Sequence, residues 1–375
     1  MPSPERYECY AVTPPGLEQI TARELSGLGL ATGEMDAGGV SFQAGANGLA
    51  RANLELRTAS RVLVRVGTFH ASAFHELERR AARLPWESYL IPGGTVSFRV
   101  TSRKSKLYHQ GGIAQRLAEA AARRVPGVAV SATGGQLFVV RLFHDECTIS
   151  ADASGAHLHR RGYRLASAKA PLRETLAAAM LLAAGWNGSR PLIDPLCGSG
   201  TIPIEAALLA RRIAPGSSRD FACERWPAFP SSVWPAVRAA AASRTLSGAP
   251  APIIGSDRDA GAIRAATDNA ARAGVGECIE FRRCSVSALD PPSGPGFIVA
   301  NPPYGVRVGR SRDLRDLYAQ LGNVLRRRYA GWDLALLSAR DELARQLGLE
   351  LKPVFRTSNG GLRVKLLLSS VPPAA

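Results

Sequence analysis

The chain has 375 residues, enough for two or three domains each able to bury a core, and carries 47 basic against 31 acidic residues for a formal charge of +16. Such a surplus, 42 of its cations being arginine, favours a polyanionic partner over a neutral small molecule. No apolar stretch approaches membrane-spanning length, and the six cysteines form no CxxC and have no histidine cluster beside them.

The cysteines therefore read as free thiols, no metal is expected, and Met-Pro-Ser-Pro at the start lacks the apolar core of a secretion signal. The expectation is a cytoplasmic, monomeric protein. Charge is unevenly spread. Residues 1–59 hold 4 basic and 7 acidic side chains, whereas residues 60–165 hold 16 and 7, which suggests a binding face in the second stretch.

In chain order, residues 7–12 read as a strand, and Thr13-Pro-Pro-Gly16 turns into a helix over 17–28 with Leu17, Ile20, Leu25 and Leu28 on one side. Strands follow at 40–42 and 62–66, then a helix at 73–84. Residues 95–100 alternate with period two, as a half-buried strand does. The polar, basic stretch Thr101-Ser-Arg-Lys-Ser-Lys-Leu-Tyr108 then feeds a helix over 112–124, and strands at 136–142 and 147–152 close an α+β region. Residues 157–171 look like a connector.

Beyond it the grammar changes to helix 172–184, strand 191–194, helix 202–212, strand 253–256, helix 260–273, strands 279–282 and 297–300, helix 314–327 and strand 334–338. Such alternation gives a doubly wound, mostly parallel sheet. Residues 350–355 and 362–369 flank Ser358-Asn-Gly-Gly361, a hairpin signal that places an antiparallel strand last. Residues 213–252 receive no assignment.

Two loops carry the chemistry. Asp194-Pro-Leu-Cys-Gly-Ser-Gly-Thr201 links a strand to a helix; its glycines let backbone approach a ligand, and the helix start turns free amides to the same space. It is neither a GxGxxG nor a P-loop, and an acid at the strand tip suits a zwitterion's ammonium better than a phosphate. After the next strand, Asp257 can take a ribose diol while Asp259 suits the cap of the following helix. In Asn301-Pro-Pro-Tyr304, the Asn301 side chain and the Pro302 carbonyl can accept both hydrogens of an exocyclic amine. Consecutive prolines stiffen the turn, and Tyr304 offers a ring for the base to stack on. Together the loops suggest transfer of a methyl group from S-adenosylmethionine to an amino nitrogen.

The C-terminal half resembles amino-methyltransferases with an Asn/Asp-Pro-Pro-Tyr motif. More narrowly, the chain resembles the THUMP-domain RNA guanine-N2 methyltransferases. The resemblance is carried by His159-Arg-Arg-Gly-Tyr-Arg164, Ala170-Pro-Leu-Arg-Glu-Thr175, the Asp194 and Asn301 motifs, Thr13-Pro-Pro-Gly-Leu-Glu18 and Ser105-Lys-Leu-Tyr-His109. It implies a Rossmann-like class I methyltransferase domain over 172–375, preceded by a ferredoxin-like domain (1–60, with part of the THUMP wrapping), a THUMP domain (61–158) and a linker (159–171). It also implies S-adenosylmethionine as cofactor and a guanine amine in 23S rRNA or tRNA as target.

Carried onto this sequence, the cofactor set is Asp194, Pro195, Leu196, Cys197, Gly198, Gly200, Asp257, Arg258 and Ser285. The catalytic set is Asn301, Pro302, Pro303 and Tyr304. Arg103, Lys104, Lys106, Arg160 and Arg161 are the RNA-backbone candidates. Two departures stand out: Ser285 occupies the place where relatives carry an acid for the adenine amine, and Val306-Arg307 replaces Glu-Arg. A DNA or protein amino-methyltransferase, or an RNA-binding protein without catalysis, are the alternatives left open.

Overall fold

The computed structural model describes residues 6–164, 172–304 and 311–372. The expected connector residues 165–171 and the Val306-Arg307 departure lie outside the described residues. The chain divides into two compact units. The first comprises Met1–Thr13, Ala22–Leu158 and Arg219–Ala239, and the second Pro14–Thr21, His159–Ser218 and Ala240–Ala375.

The first unit contains strand β1 (Tyr7–Val12), most of helix α1 (Glu18–Gly27), β2 (Thr32–Asp36), β3 (Gly39–Ala44), α2 (Ala46–Glu55) and β4 (Arg61–His70). It continues with α3 (Phe74–Ala81), β5 (Thr95–Arg103), α4 (Gln110–Arg124), β6 (Ala129–Val130), β7 (Gln136–Phe143) and β8 (Glu146–Asp152). All eight strands share one sheet in the order β2-β3-β1-β4-β8-β7-β5-β6. Burial alternates along β7, which buries Phe138, Val140 and Leu142 and leaves Arg141 exposed, as a one-sided sheet requires. Trp86 packs edge-on against Phe98 and Phe138 beneath it.

The stretch 213–252, opaque in the sequence, holds a short 3-10 turn (Ala222–Arg225) and helix α7 (Val233–Ala242). Residues 219–239 return to the first unit. Arg219 donates to the carbonyls of Ser154, Ala156 and His157, Trp226 Nε1 donates to Gln136 Oε1 at 2.7 Å, and Phe221 stacks on Trp234. Helix α2 also gave no sequence signal: its start, Gly45-Ala-Asn-Gly48, carries turn chemistry and no side-chain cap, and the helix is held by burial of Leu49 and Leu54 instead.

The second unit holds α5 (Glu174–Ala183), β9 (Leu192–Asp194), α6 (Thr201–Ala210), β10 (Ile253–Asp257), α8 (Ala260–Arg272), β11 (Glu280–Arg283) and β12 (Phe297–Ala300). It ends with α9 (Ser311–Arg328), β13 (Asp333–Ser338), α10 (Asp341–Arg345), β14 (Lys352–Asn359) and β15 (Leu362–Ser370). The sheet order is β11-β10-β9-β12-β13-β15-β14; β9 to β13 run parallel and β15 antiparallel to β13. This is the class I methyltransferase arrangement expected from the sequence. Central strands β9 and β12 are buried throughout, which is why they read as apolar runs rather than alternating ones. Helix α6 is likewise buried on all sides but Leu209. Strand β14 runs beyond Phe355 to Asn359, so the hairpin turn is Gly360-Gly361 alone, both at positive φ.

Candidate active site

The candidate site lies at the carboxyl ends of three adjacent strands of the second unit. Gly255 of β10 pairs with Asp194 of β9, and Ile298 of β12 pairs with Ile193. The loops leaving these strands are the ones singled out in the sequence, and such strand ends are where open α/β sheets take ligands.

After β9, the backbone is turned by Gly198 (φ +52°) and Gly200 (φ +82°). A side chain at Gly200 would meet Ala266 Cβ at 3.0 Å, whereas one at Gly198 would meet nothing within 4 Å, so open space lies beside Gly198. Asp194 is 1% exposed and accepts the Leu196 N–H at 3.1 Å. Burial pushes its pKa up to about 8; the Leu196 hydrogen bond opposes that shift and nearby Asp257 adds to it. Asp257 Oδ2 accepts the Gly198 N–H at 3.0 Å and Oδ1 accepts the Asp259 N–H at 3.0 Å, so this acid ties two loops together. Asp259 caps α8 through Ala262 N–H at 2.7 Å.

Pro195 and Cys197 are buried, and Leu196 is partly so. The Cys197 thiol is driven well above its usual range by burial and by Asp194 and Asp257, so it is neither nucleophile nor base. Arg258 is exposed, and Ser285, also exposed, shares a hydrogen bond of 2.9 Å with Ser287. A buried, charge-poor carboxyl beside a second acid and a bare backbone turn fits a ligand bearing an ammonium and a diol, as S-adenosylmethionine does.

After β12, Pro302 is buried and Asn301, Pro303 and Tyr304 are partly buried. The Tyr304 hydroxyl donates to Asn301 Oδ1 and orients the amide. Burial holds the Tyr304 hydroxyl above its usual range, so it stays protonated and acts as a donor. The Tyr318 hydroxyl donates to the Pro303 carbonyl at 3.4 Å and braces the turn from α9.

A third group was visible in the sequence only as family motif. Tyr163 donates to Glu205 Oε1 at 3.1 Å, and Arg164 donates to Thr201 Oγ1 at 2.6 Å and the Leu172 carbonyl at 3.0 Å, with Glu174 3.4 Å away. This network pins the start of α6, and with it the Gly200 turn. Arg161 belongs here. It is 4% exposed with its guanidinium 3.6 Å from Glu205, which corrects its expected place at an RNA phosphate: burial leaves it no face to offer.

In the first unit, Arg103, Lys104 and Lys106 are exposed where β5 passes into α4, beside Tyr108, which is 80% exposed. Lys104 lies over the Phe143 ring at 5.9 Å, and the Lys106 N–H donates to Asp145 at 2.6 Å. Arg160, in the second unit, is exposed. Among the described residues no helix is long and apolar enough to cross a membrane, and no cluster of His, Cys, Asp or Glu could hold a metal.

A doubly wound sheet with a glycine-turned loop after β9, an acid after β10 and Asn-Pro-Pro-Tyr after β12 defines a class I, S-adenosylmethionine-dependent methyltransferase. Residues 161–365 match the RMKL-like methyltransferase domain, residues 8–63 the RlmL ferredoxin-like domain and residues 71–152 the THUMP domain. The chain belongs to the RMKL-like methyltransferase family.

Among relatives, slr0064 of Synechocystis sp., named provisionally as an RNA methyltransferase, is 34% identical over 96% of this chain and 95% of its own length. The ribosomal RNA large subunit methyltransferase K/L of Syntrophotalea carbinolica is 37% identical over 96% of this chain but 53% of its own length. This chain thus spans about half the length of the K/L proteins it matches. The crystal structure of SMU.472 complexed with SAH aligns with a TM-score of 0.88 at 29% identity, covering 99% of this chain and 100% of that one.

Proposed function

We propose that this chain methylates the exocyclic N2 amine of a guanine in structured RNA, either 23S rRNA or tRNA. The observation that carries this reading is the adjacency, within one sheet, of an ammonium-seeking acid, a diol-seeking acid and a braced Asn-Pro-Pro-Tyr turn. The names of slr0064 and the K/L proteins support RNA as the substrate, as does the match to a THUMP domain.

When bound, the cofactor supplies an electrophilic methyl on a sulfonium. Asp194 would hold its ammonium, Asp257 its ribose, and the backbone of Cys197–Gly200 would close over the methionine end. Asn301 Oδ1 keeps a lone pair beyond the one that Tyr304 uses. With the Pro302 carbonyl it would accept both amine hydrogens, drawing electron density onto nitrogen and aligning it for attack. Alignment of this kind in a site shielded from water can lower a barrier by about 7–11 kcal/mol. No general base is required, because the proton can leave to solvent after transfer.

A paired guanine cannot reach these groups, so the base must be flipped out or unpaired. Arg103, Lys104 and Lys106, with Arg160, would grip the RNA backbone. The residue ranges 1–60, 61–158, 159–171 and 172–375 are proposed as the functional partition, with Arg219–Ala239 belonging to the first compact unit and Pro14–Thr21 to the second.

The test is transfer of labelled methyl to total tRNA and, separately, to unmodified 23S rRNA, followed by nucleoside analysis. N2-methylguanosine in one pool is the expected outcome. Label only in duplex DNA or protein would overturn the reading.

A further inference from the structure

The hairpin β14–β15 ends beside the target loop and presents an unusual face. Arg356 lies directly opposite Lys365 and Ser358 opposite Arg363, while the alternate residues Phe355, Thr357, Val364 and Leu366 are buried. Like charges facing each other across an antiparallel pair destabilise it by about 0.2–1 kcal/mol, a cost that an acid beside Lys365 offsets in part. Asp341 pairs with Lys365. Arg340, Arg345, Arg356 and Arg363 are exposed and form no ion pair among the described residues.

These side chains line one groove of about 1200 Å³ together with Pro15, Gly16 and Ser338. That exceeds the roughly 300–1,000 Å³ typical of a pocket for one small ligand. One wall is fixed by close packing: a side chain at Gly16 (φ +95°) would fall 1.8 Å from the Arg356 carbonyl oxygen. In the same wall the buried Thr357 hydroxyl has no hydrogen-bond partner among the described residues.

Ser338, in the lining of the groove, ends the strand next to the one that carries the target loop. Ala300 pairs with Leu336, so Asn301 leaves β12 alongside the end of β13 at Ser338. The Tyr318 hydroxyl donates to the Pro303 carbonyl at 3.4 Å, and the Asn359 side chain of the hairpin lies close enough to the Tyr304 hydroxyl to oppose part of the rise that burial gives its pKa.

We propose that this groove carries the phosphodiester backbone of nucleotides flanking the methylated base, with Arg356 and Arg363 as phosphate ligands and Arg340 beside them. Arginine is suited to the task because its planar fork donates two parallel hydrogen bonds to phosphate oxygens. The assignment rests on the RNA reading above.

Its test is binding of unmodified 23S rRNA and tRNA across a salt series by Arg356→Glu/Arg363→Glu and by the milder Arg356→Gln/Arg363→Gln. SAH affinity in each variant reports the integrity of the second unit. The charge reversal is expected to weaken binding of the RNA that the wild type methylates at least tenfold. Loss of two phosphate contacts should make the slope of log affinity against log salt shallower by about 1.4, at ~0.7 per single-strand phosphate. Wild-type affinity and slope in both variants would overturn the groove. A wild-type chain that methylates neither RNA would overturn the RNA reading and the groove together, so the two failures are distinguishable.

Discussion

The loops at the ends of β9 and β12 and the basic stretch after β5 are built on opposite physical plans. At the first, with the adjoining end of β10, Asp194, Asp257, Asn301 and Tyr304 are wholly or partly buried and bonded to named partners. At the second, Arg103, Lys104 and Lys106 are exposed charges that present their head groups to solvent. A site of the first kind fails abruptly when one atom is removed. A surface of the second kind weakens by degrees and answers to salt.

The sharpest test of that contrast is Asn301→Ala, which is expected to lower methyl transfer about 10³-fold, the scale for losing a group aimed at a reacting centre. RNA affinity should stay within about twofold of wild type, because backbone contacts dominate it. An equal loss of both would dissolve the distinction. Gly200→Ala forces a side chain into left-handed backbone against Ala266. A strain of about 1–2 kcal/mol predicts roughly tenfold weaker SAH binding, measurable by calorimetry. The matching change on the other side is Lys104→Glu with Lys106→Glu. It should weaken RNA binding about tenfold at low salt and flatten the salt slope by about 1.4–1.8, with SAH binding untouched.

Asp194 sharpens the comparison through pH. Its pKa in the folded chain, about 8, lies above the ordinary carboxyl value, so folding disfavours its ionisation. Its contribution to stability is full below about pH 4 and is lost as pH rises toward 8. Between pH 5 and 8 the melting temperature of ligand-free wild type should therefore fall relative to that of Asp194→Asn by several degrees. A constant difference across that range would show that Asp194 is already solvated. The smallest effect is expected from Ser285→Asp, which places an acid at the position proposed to face the adenine amine; about threefold tighter SAH binding would make adenine recognition electrostatic.

Much of this was legible in the sequence because buried parallel strands must be apolar and end where their loops do chemistry. Ile298-Val-Ala-Asn301 and Leu192-Ile-Asp194 announce both facts in a few letters. Helix α2 was illegible because its start is written in turn residues and its stability comes from burial. Residues 219–239 were illegible for a different reason: Trp226, Phe229 and Trp234 are buried through contacts distant in sequence, which no local period encodes. Arg161 reads as a free cation until the position of Glu205 is known. The hairpin face of Arg356 and Arg363 was hidden because strand and turn residues blend across Thr357-Ser-Asn359.

The return of residues 219–239 to the first unit also sets an order of events during synthesis. Tyr89 packs edge-on against Trp226, and Tyr7 stacks with Phe229, so the N-terminal unit lacks part of its core when residue 158 leaves the ribosome. At ~5–20 residues per second, the 81 residues to position 239 take roughly 4–16 s. Throughout that interval β9, α6 and the rest of 159–218 are already emerging. The nascent chain therefore holds two unfinished cores at once, and a fragment cut at the end of the THUMP match would expose the aromatic surface that the later segment covers.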